Sequence, residues 1–316
     1  MKVVSTSPSF AKYSNEPIEF LKKNGIEVIH LPADIHEEDF IVNIQDVDAA
    51  IVAFNDINQH VLNKAPQLKI VCKHGVGVDN IDLKTTKEKG IWVTNVPNTN
   101  KHAVADFTFA LMLSIARQIP LANRLTKKGE WPRVFGSDIY SKTVGIIGLG
   151  VIGQEVARRA KGFDMEILAY DPYPNNDFAN ANGIKLVELE ELLKHSDFVT
   201  LHMPLTKQTK NLIDSKQLKM MKETAYLINA SRGEIVVEEA LYEVLKSNTI
   251  AGAALDVFEN EPVHNHPLFD LPNFIATPHI AGYTRGAVNL LGMACVENIV
   301  DVLVNNRRPR NIVNGL

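Results

Sequence analysis

The sequence predicts an α/β protein with two parallel sheets, and therefore two domains. Short apolar runs alternate with longer helical patterns along nearly the whole chain of 316 residues. Such alternation is typical of parallel strands joined by right-handed helical crossovers. The candidate strands also fall into two sets, separated by Gly129–Ser141, which is rich in turn-forming and aromatic residues. Two sets of strands indicate two sheets, and the chain length is also that of roughly two domains.

The candidate strands are short runs of apolar residues, several of them apolar throughout, as expected where helices cover both faces of a sheet. The first set comprises Lys2–Ser5, Ala50–Ala53, Leu68–Lys73 and Ile91–Thr94. The second set comprises Thr143–Ile147, Glu166–Tyr170, Phe198–Leu201, Ala225–Asn229, Gly252–Leu255 and Phe274–Ala276.

Two helical patterns are prominent. The pattern at His102–Arg117 is strongly apolar, and the pattern at Thr284–Asn305 is long and is interpreted as amphipathic. An apolar helix such as His102–Arg117 is either a core helix or a contact with a partner subunit, and the sequence leaves both interpretations open.

Composition excludes several classes of function. The net charge is −4 and no basic run is present, so nucleic-acid binding is not expected. The two cysteines, Cys72 and Cys295, form no disulfide framework and are typical of a reducing compartment. The opening residues lack the apolar stretch of a signal peptide, and no stretch approaches the roughly 18 apolar residues of a membrane helix. We therefore expect a cytoplasmic protein with its native start and no membrane contact.

A glycine-rich motif opens the second half of the chain. Gly148, Gly150 and Gly153 have the spacing G-x-G-x-x-G, directly after a candidate strand and before a helical pattern at Gln154–Ala160. In a dinucleotide-binding turn the first glycine permits the tight turn, the second lets the backbone approach a pyrophosphate, and the third lets helix pack on strand. The N-terminus of the helix then offers free N–H groups to the phosphates.

The identity of the expected dinucleotide follows from the next strand. Asp171 ends that strand, where an acid accepts hydrogen bonds from ribose hydroxyls and repels a 2′-phosphate. Pro172 and Tyr173 follow, with no arginine to receive a phosphate, so NAD is favoured over NADP. The other glycine pair, Gly75-x-Gly77, lacks the third glycine and is not interpreted as a second dinucleotide site.

Polar residues follow three later strands, in the segments NASRG, ALDVFENEP and TPHIAG. They place Arg232, Asp256 and His279 just past the ends of apolar runs. Ligands of doubly wound sheets bind outside the carboxyl ends of the strands, so these side chains are expected at the same edge as the cofactor. Taken singly, each residue could equally be a surface, loop or core residue.

Together these motifs resemble those of the D-isomer-specific 2-hydroxyacid dehydrogenases, most closely the phosphoglycerate dehydrogenase-like branch. The resemblance covers nearly the whole chain, from KHGVGVDNID through GLGVIG, LHMPLT, INASRGE and ALDVFENEP to TPHIAG. It implies two Rossmann-like, doubly wound parallel-sheet domains with a cleft between them. Residues 1–100 plus 286–316 would form a flavodoxin-like substrate domain, and residues 101–285 an NAD-binding Rossmann domain.

The resemblance also implies catalytic roles. His279 would be the acid, and the base in the reverse direction. Glu261 would hydrogen-bond the far imidazole nitrogen and favour the protonated ring. Arg232 would bind the substrate carboxylate and polarise the keto oxygen, a geometry that suits its planar fork.

Further contacts are implied by family position. Around the cofactor, Val151 and Ile152 would offer backbone to the pyrophosphate, Pro204 and Thr209 would border the adenosine, and Asp256 would meet the nicotinamide amide. A plain loop role is equally open for Pro204 and Thr209. Residues that would contact the small anionic substrate are Lys73, His74, Val76, Gly77 and Asn100. A glycine-flanked loop is well suited to present the Val76 and Gly77 N–H groups to an anion.

No metal site is expected. His264 and His266 form an H-x-H pair, but no third ligand at a recognisable spacing accompanies them.

The expected activity is that of an NAD-dependent D-2-hydroxyacid dehydrogenase similar to D-3-phosphoglycerate dehydrogenases. Hydroxypyruvate, glyoxylate or another small keto acid fits nearly as well, because the segment IVAFND has no basic residue and Lys73 stands where the branch often has arginine. A non-enzymatic, NAD-sensing corepressor-like protein is a remoter alternative. Formate-type dehydrogenases are remoter still, since they have glutamine where Glu261 stands. A homodimer is expected through the His102–Arg117 helix and the Trp131–Tyr140 segment.

Overall fold

The computed structural model describes residues 1 to 316. The chain divides into two compact units. The first unit comprises Met1–Asn100 and Tyr283–Leu316, and the second comprises Lys101–Gly282. Each unit contains one sheet, and every strand pair in both sheets is parallel. The predicted α/β class with two doubly wound parallel sheets is thus confirmed.

The elements are labelled in chain order. The strands are β1 Lys2–Ser5, β2 Glu27–His30, β3 Ala49–Val52, β4 Ile70–Lys73, β5 Trp92–Thr94, β6 Thr143–Ile147, β7 Glu166–Tyr170, β8 Lys185–Leu186, β9 Phe198–Leu201, β10 Tyr226–Asn229, β11 Gly252–Leu255 and β12 Phe274–Ala276. The helices are α1 Glu16–Lys23, α2 Glu37–Ile44, α3 Gln59–Asn63, α4 Leu83–Glu88, α5 Lys101–Ala116, α6 Ile119–Lys127, α7 Val151–Ala160, α8 Asn176–Asn182, α9 Leu189–His195, α10 Ser215–Leu218, α11 Glu238–Lys246 and α12 Arg285–Leu303.

The first unit is built on a five-stranded sheet with the order β2-β1-β3-β4-β5, which is the order of flavodoxin-type sheets. The four residues of β3 are all buried, because helices cover both faces. One face packs against Phe40 and Ile44 of α2. The other packs against Leu291 and Cys295 of α12.

Helix α12 corrects one sequence-based expectation. It is long and apolar enough to cross a membrane, as is the pair α5 and α6 if its 62° bend is disregarded, so the expectation that no stretch approaches a membrane helix was wrong. Half of the α12 stretch is buried, where the helix packs against α1 and β4. Nor is α12 amphipathic as expected, because an apolar residue, Leu290, also lies on its exposed side. These contacts are those of a core helix of the first unit.

The second unit is built on a seven-stranded sheet with the order β12-β11-β10-β9-β6-β7-β8. Counted from β6, this is the Rossmann order 3-2-1-4-5-6 with one further strand. The strand order reverses between β6 and β9, and a doubly wound sheet binds its ligand at this point, outside the carboxyl ends of the strands.

Helix α5 is a core helix of the second unit. It packs against α7 and against strands β10, β11 and β12. Phe109, Met112 and Ile115 are buried in this contact, and full burial of such a side chain contributes about 1.5–3 kcal/mol. The sequence left open whether this apolar helix is a core helix or contacts a partner subunit. The buried face of α5 is that of a core helix.

Candidate active site

The glycine-rich turn follows β6 at the point where the strand order reverses. Gly148 has a φ of +98°, a left-handed backbone conformation that residues other than glycine rarely adopt. A Cβ on Gly148 would also lie 2.6 Å from the His202 carbonyl oxygen, in the loop after β9. The turn therefore requires glycine both for its conformation and for its close approach to the neighbouring loop.

The other two glycines shape the start of α7. A Cβ on Gly150 would meet nothing within 4 Å, so this side of the loop is open to a ligand. A Cβ on Gly153 would overlap the Gly148 carbonyl oxygen. Gly150 is the N-cap and supplies no side-chain cap, so the first N–H groups of α7, at Val151 and Ile152, remain free to bind an anion.

Asp171 connects this turn to the end of β7. Its Oδ2 accepts a hydrogen bond from the Leu149 backbone N–H at 2.8 Å, and its Oδ1 accepts from the Tyr173 N–H at 2.8 Å. A carboxylate has about four acceptor positions, so the two oxygens can still accept from ribose hydroxyls. Together with the open turn, this donor and acceptor set fits a dinucleotide without a 2′-phosphate.

Arg232 is carried by a loop that Asn229 shapes at the end of β10. The Asn229 Oδ1 accepts from the N–H and the hydroxyl of Ser231 at 3.0 and 2.8 Å, and its Nδ2 donates to the Arg232 carbonyl at 2.8 Å. Asn229 is fully buried. The Arg232 guanidinium donates to the Ser231 carbonyl at 2.7 Å. The sequence motif pointed to Arg232, but not to Asn229 as the residue that holds its loop.

The Arg232 loop crosses the loop that leads to Glu261. A Cβ on Gly233 would overlap the backbone of Phe258, so only glycine permits this crossing. The Phe258 N–H in turn donates to Glu261 Oε1 at 2.9 Å. The loops after β10 and β11 are therefore packed against each other through backbone.

Glu261 and His279 form a close pair. The His279 Nδ1 lies 2.7 Å from Glu261 Oε2, and the two side chains are 32% and 27% exposed. This places the carboxylate on one imidazole nitrogen, as expected from the sequence. The acid–base role expected for the other nitrogen, Nε2, stays a prediction. His279 has a φ of +55°, and a left-handed conformation of this kind costs roughly 1–2 kcal/mol outside glycine.

Asp256 lies at the end of β11, fully buried. Its Oδ1 accepts from the Thr277 hydroxyl at 2.6 Å and from the Ile280 N–H at 2.9 Å, and its Oδ2 accepts from the Ala281 N–H at 2.8 Å. Burial raises the pKa of this carboxyl, and the three hydrogen bonds oppose the rise. The contact expected with a nicotinamide amide stays a prediction, because the carboxylate already has these internal donors.

The substrate contacts expected in the first unit differ in character. The Lys73 ammonium donates to the Ala53 carbonyl and to Asn80 Oδ1. His74 is buried, with Nδ1 2.9 Å from the Ser7 hydroxyl and Nε2 without a hydrogen-bond partner. Burial, followed by the charge of Lys73, lowers the pKa of His74 to about 4. His74 is therefore a neutral group at pH 7 and not a cation.

The loop after β4 presents backbone donors. Val76 is 37% exposed, and its carbonyl accepts from Asn95 Nδ2 at 2.7 Å. No hydrogen bond uses the N–H groups of Val76 and Gly77 as donors, which suits the expected anion-binding loop. Asn100 is the last residue of this part of the first unit.

Thr209 has a local structural role. Its hydroxyl donates to the Pro204 carbonyl at 2.7 Å and accepts from the Thr206 N–H at 2.7 Å. These bonds hold the loop after β9 in shape and correspond to the plain loop role that the sequence left open. A contact of Pro204 or Thr209 with adenosine stays a prediction.

His266 is part of a second histidine–glutamate pair, which the sequence did not reveal. Its Nε2 lies 2.9 Å from Glu238 Oε2, and its Nδ1 accepts from the Leu268 N–H at 3.2 Å. The other oxygen of Glu238 accepts from the Glu259 N–H at 2.7 Å. The pair thus fastens the loop that carries Glu261 to helix α11.

Comparison with known families gives a match over most of the second unit. Residues 109–281 match the family described as D-isomer specific 2-hydroxyacid dehydrogenase, NAD binding domain. This range contains the glycine-rich turn and the side chains of Arg232, Glu261 and His279.

Curated relatives match over more of the chain. A D-3-phosphoglycerate dehydrogenase of Methanocaldococcus jannaschii is 41% identical over 99% of this chain, which spans only 59% of the length of that relative. A glyoxylate reductase of Korarchaeum cryptofilum is 43% identical over 87% of this chain and 85% of its own length. The two relatives therefore have different activities at nearly the same identity.

A solved structure matches the whole chain. D-lactate dehydrogenase from Aquifex aeolicus, complexed with NAD and lactic acid, is 27% identical, with a TM-score of 0.84 over 100% of both chains.

Proposed function

Because the chain belongs to the D-isomer specific 2-hydroxyacid dehydrogenases, we propose that it transfers a hydride between NAD(H) and a small 2-hydroxy or 2-keto acid. The observation that carries this proposal is the His279–Glu261 pair at 2.7 Å. The pair follows β11 and β12, in the same sheet and at the same edge as the glycine-rich turn after β6.

The protein's own side chains divide the work of reduction. His279 Nε2 donates the proton that the developing alkoxide requires, and takes it back in oxidation. Glu261 holds the ring through Nδ1 and compensates the positive charge of the protonated imidazole. Arg232 binds the substrate carboxylate and polarises the keto oxygen with its fork of N–H donors.

NAD is the cofactor that fits the second unit. Bound there, it supplies or accepts the hydride. The open face of Gly150 and the free N–H groups at Val151 and Ile152 suit its pyrophosphate. Asp171 suits its ribose and disfavours the 2′-phosphate of NADP.

The first unit would then be the substrate domain. We propose that the unused N–H groups of Val76 and Gly77 bind the substrate carboxylate, as a glycine-flanked loop can do. Asn100, Lys73 and His74 are proposed to contact the same substrate.

Glyoxylate or hydroxypyruvate reduction is a second candidate beside phosphoglycerate oxidation, and one observation favours it. His74 is buried and neutral, and the ammonium of Lys73 already donates to Ala53 and Asn80. Neither group offers the bidentate clamp that a phosphate prefers. The structure of the first unit therefore supports a substrate whose only anionic group is its carboxylate.

A panel of keto acids tests these proposals. We expect the protein to oxidise NADH with hydroxypyruvate and glyoxylate, and to prefer hydroxypyruvate over 3-phosphohydroxypyruvate, which differs only in the phosphate. NADH should be preferred over NADPH by more than about tenfold, because a phosphate beside Asp171 juxtaposes like charges. Preference for 3-phosphohydroxypyruvate would favour the phosphoglycerate activity. Tight NADH binding without turnover of any keto acid would favour an NAD-sensing protein instead.

The protein is also proposed to be a homodimer. Trp131, Phe135 and Tyr140 are 77%, 85% and 63% exposed, so one short segment presents three aromatic rings to solvent. Exposed apolar clusters of this kind mark protein interfaces. Sedimentation at micromolar concentration should give roughly twice the 35.1 kDa of one chain, and Phe135→Asp should shift the mass toward that of one chain. A wild-type mass of 35.1 kDa would contradict the proposal.

A cytoplasmic location is proposed as well. Both cysteines are free and fully buried, as is usual in a reducing compartment. Recovery of the protein in a secreted fraction would contradict this.

A further inference from the structure

We propose that Asp256 is a positioning residue that holds the loop of His279 in its reactive conformation. This inference rests on the proposed function, because it takes His279 as the acid and base. It differs from the expected contact between Asp256 and a nicotinamide amide, because it assigns the carboxylate to the protein's own backbone.

Asp256 bonds to the loop on both sides of His279. The Thr277 hydroxyl, two residues before the histidine, donates to Oδ1 at 2.6 Å. The N–H groups of Ile280 and Ala281, directly after it, donate to Oδ1 and Oδ2 at 2.9 and 2.8 Å. The N–H of His279 itself donates to the carbonyl of Asp256 at 2.8 Å. The whole turn is thus fastened to one residue at the end of β11.

The turn requires such fastening because His279 is left-handed, with a φ of +55°. A residue other than glycine keeps this conformation only where its surroundings determine it. The conformation sets the direction of the imidazole toward Glu261. If the turn relaxed, Nδ1 would leave the carboxylate at 2.7 Å, and the ring would lose both its orientation and its charge partner.

The chemistry of a carboxylate suits this role. Three donors converge on two oxygens that only accept. In Asp256→Asn an NH₂ group replaces one oxygen, and two donors then face each other inside a fully buried site. The change keeps the size of the side chain and removes the bonding pattern.

The test compares Asp256→Asn and Thr277→Val with a matched control, Asp197→Asn. Asp197 lies just before β9, at the amino ends of the same strands. It also accepts from a backbone N–H, that of Thr143 at 2.9 Å, and from Lys222 Nζ at 2.9 Å. The control therefore removes a similar set of bonds at the opposite edge of the sheet.

For Asp256→Asn we expect kcat for keto acid reduction to fall by about 10–100-fold, the usual cost of losing a partner that orients a reactive group. The ¹⁵N signal of His279 Nδ1 should shift as well, since the ring would lose its contact with Glu261 at 2.7 Å. Thr277→Val removes one bond and should lower kcat by about 3–10-fold, in the same direction. The affinity for NADH, measured by fluorescence, should stay near that of the wild type in both. Asp197→Asn should leave both kcat and the Nδ1 signal of His279 unchanged.

Two results would overturn the inference. One is a loss of NADH affinity of tenfold or more in Asp256→Asn with an unchanged Nδ1 signal of His279, which would assign the carboxylate to the cofactor. The other is a wild-type kcat in that variant. If the wild type turns over no keto acid, the proposed function fails. The inference is then decided by NMR of ¹⁵N-labelled histidine, in which the Nδ1 signal of His279 should shift in Asp256→Asn and Thr277→Val and stay in Asp197→Asn.

Discussion

Replacing His279 with alanine is expected to lower kcat for keto acid reduction by about 10²–10⁴-fold, the contribution of a positioned general acid. The physical reason is the loss of the proton donor that we propose at Nε2, since Glu261 holds the other nitrogen at 2.7 Å. NADH binding should stay near that of the wild type, because the glycine-rich turn that is proposed to bind NADH follows β6, whereas His279 follows β12. Steady-state rates and a fluorescence titration with NADH measure the two effects.

The second histidine–glutamate pair offers a matched control. His266 lies 2.9 Å from Glu238 in the same unit, but its two nitrogens are both occupied by the protein's own groups. His266→Ala should lower the melting temperature and leave kcat within a few-fold of the wild type. Equal losses of kcat in the two variants would show that His279 acts through structure and not as the acid.

Replacing Arg232 with lysine is expected to lower kcat/KM by about 10²–10³-fold, the usual cost of removing a donor to a developing oxyanion. Lysine keeps the positive charge but not the planar fork that binds a carboxylate with two parallel bonds. Both KM and kcat should change, because KM depends on binding of the substrate carboxylate and kcat on polarisation of the keto oxygen.

Arg158→Lys is the control for this prediction. The Arg158 guanidinium donates to Glu155 on α7 at 2.7 Å and is half exposed. A change of arginine to lysine there should have little effect on kcat/KM, since lysine keeps the positive charge beside the buried Glu155. A wild-type kcat/KM in Arg232→Lys would contradict the role proposed for the guanidinium.

The sequence sufficed for those strands whose residues are apolar throughout. It missed β2 and β8. β2 has exposed residues at both ends and pairs only with β1, and β8 has two residues at the edge of the second sheet. An edge strand needs no continuous apolar run, so its pattern resembles that of a loop. The start of α7 was also placed three residues late, because Val151 follows glycine without any polar cap.

The candidate site was predictable where polar residues interrupt apolar runs, as at Arg232 and His279. Its supporting bonds were not. The donors to Asp256 lie 21 to 25 residues further along the chain, and no local pattern indicates them. Nor does the position of His74 before Gly75 in the sequence predict that its imidazole is neutral. The neutral state results from burial against Ser7 and the ring of Phe10.

The chirality of the product tests the central claim most directly. With NADH and hydroxypyruvate, the protein should form D-glycerate alone. In the proposed function the acid, the guanidinium and the cofactor all lie at one edge of the same sheet. The substrate would then be held in one orientation, and NADH would deliver its hydride to one face of the ketone. Chiral chromatography of the product measures this. L-glycerate, a racemic mixture, or no glycerate from an enzyme that binds NADH would contradict the account.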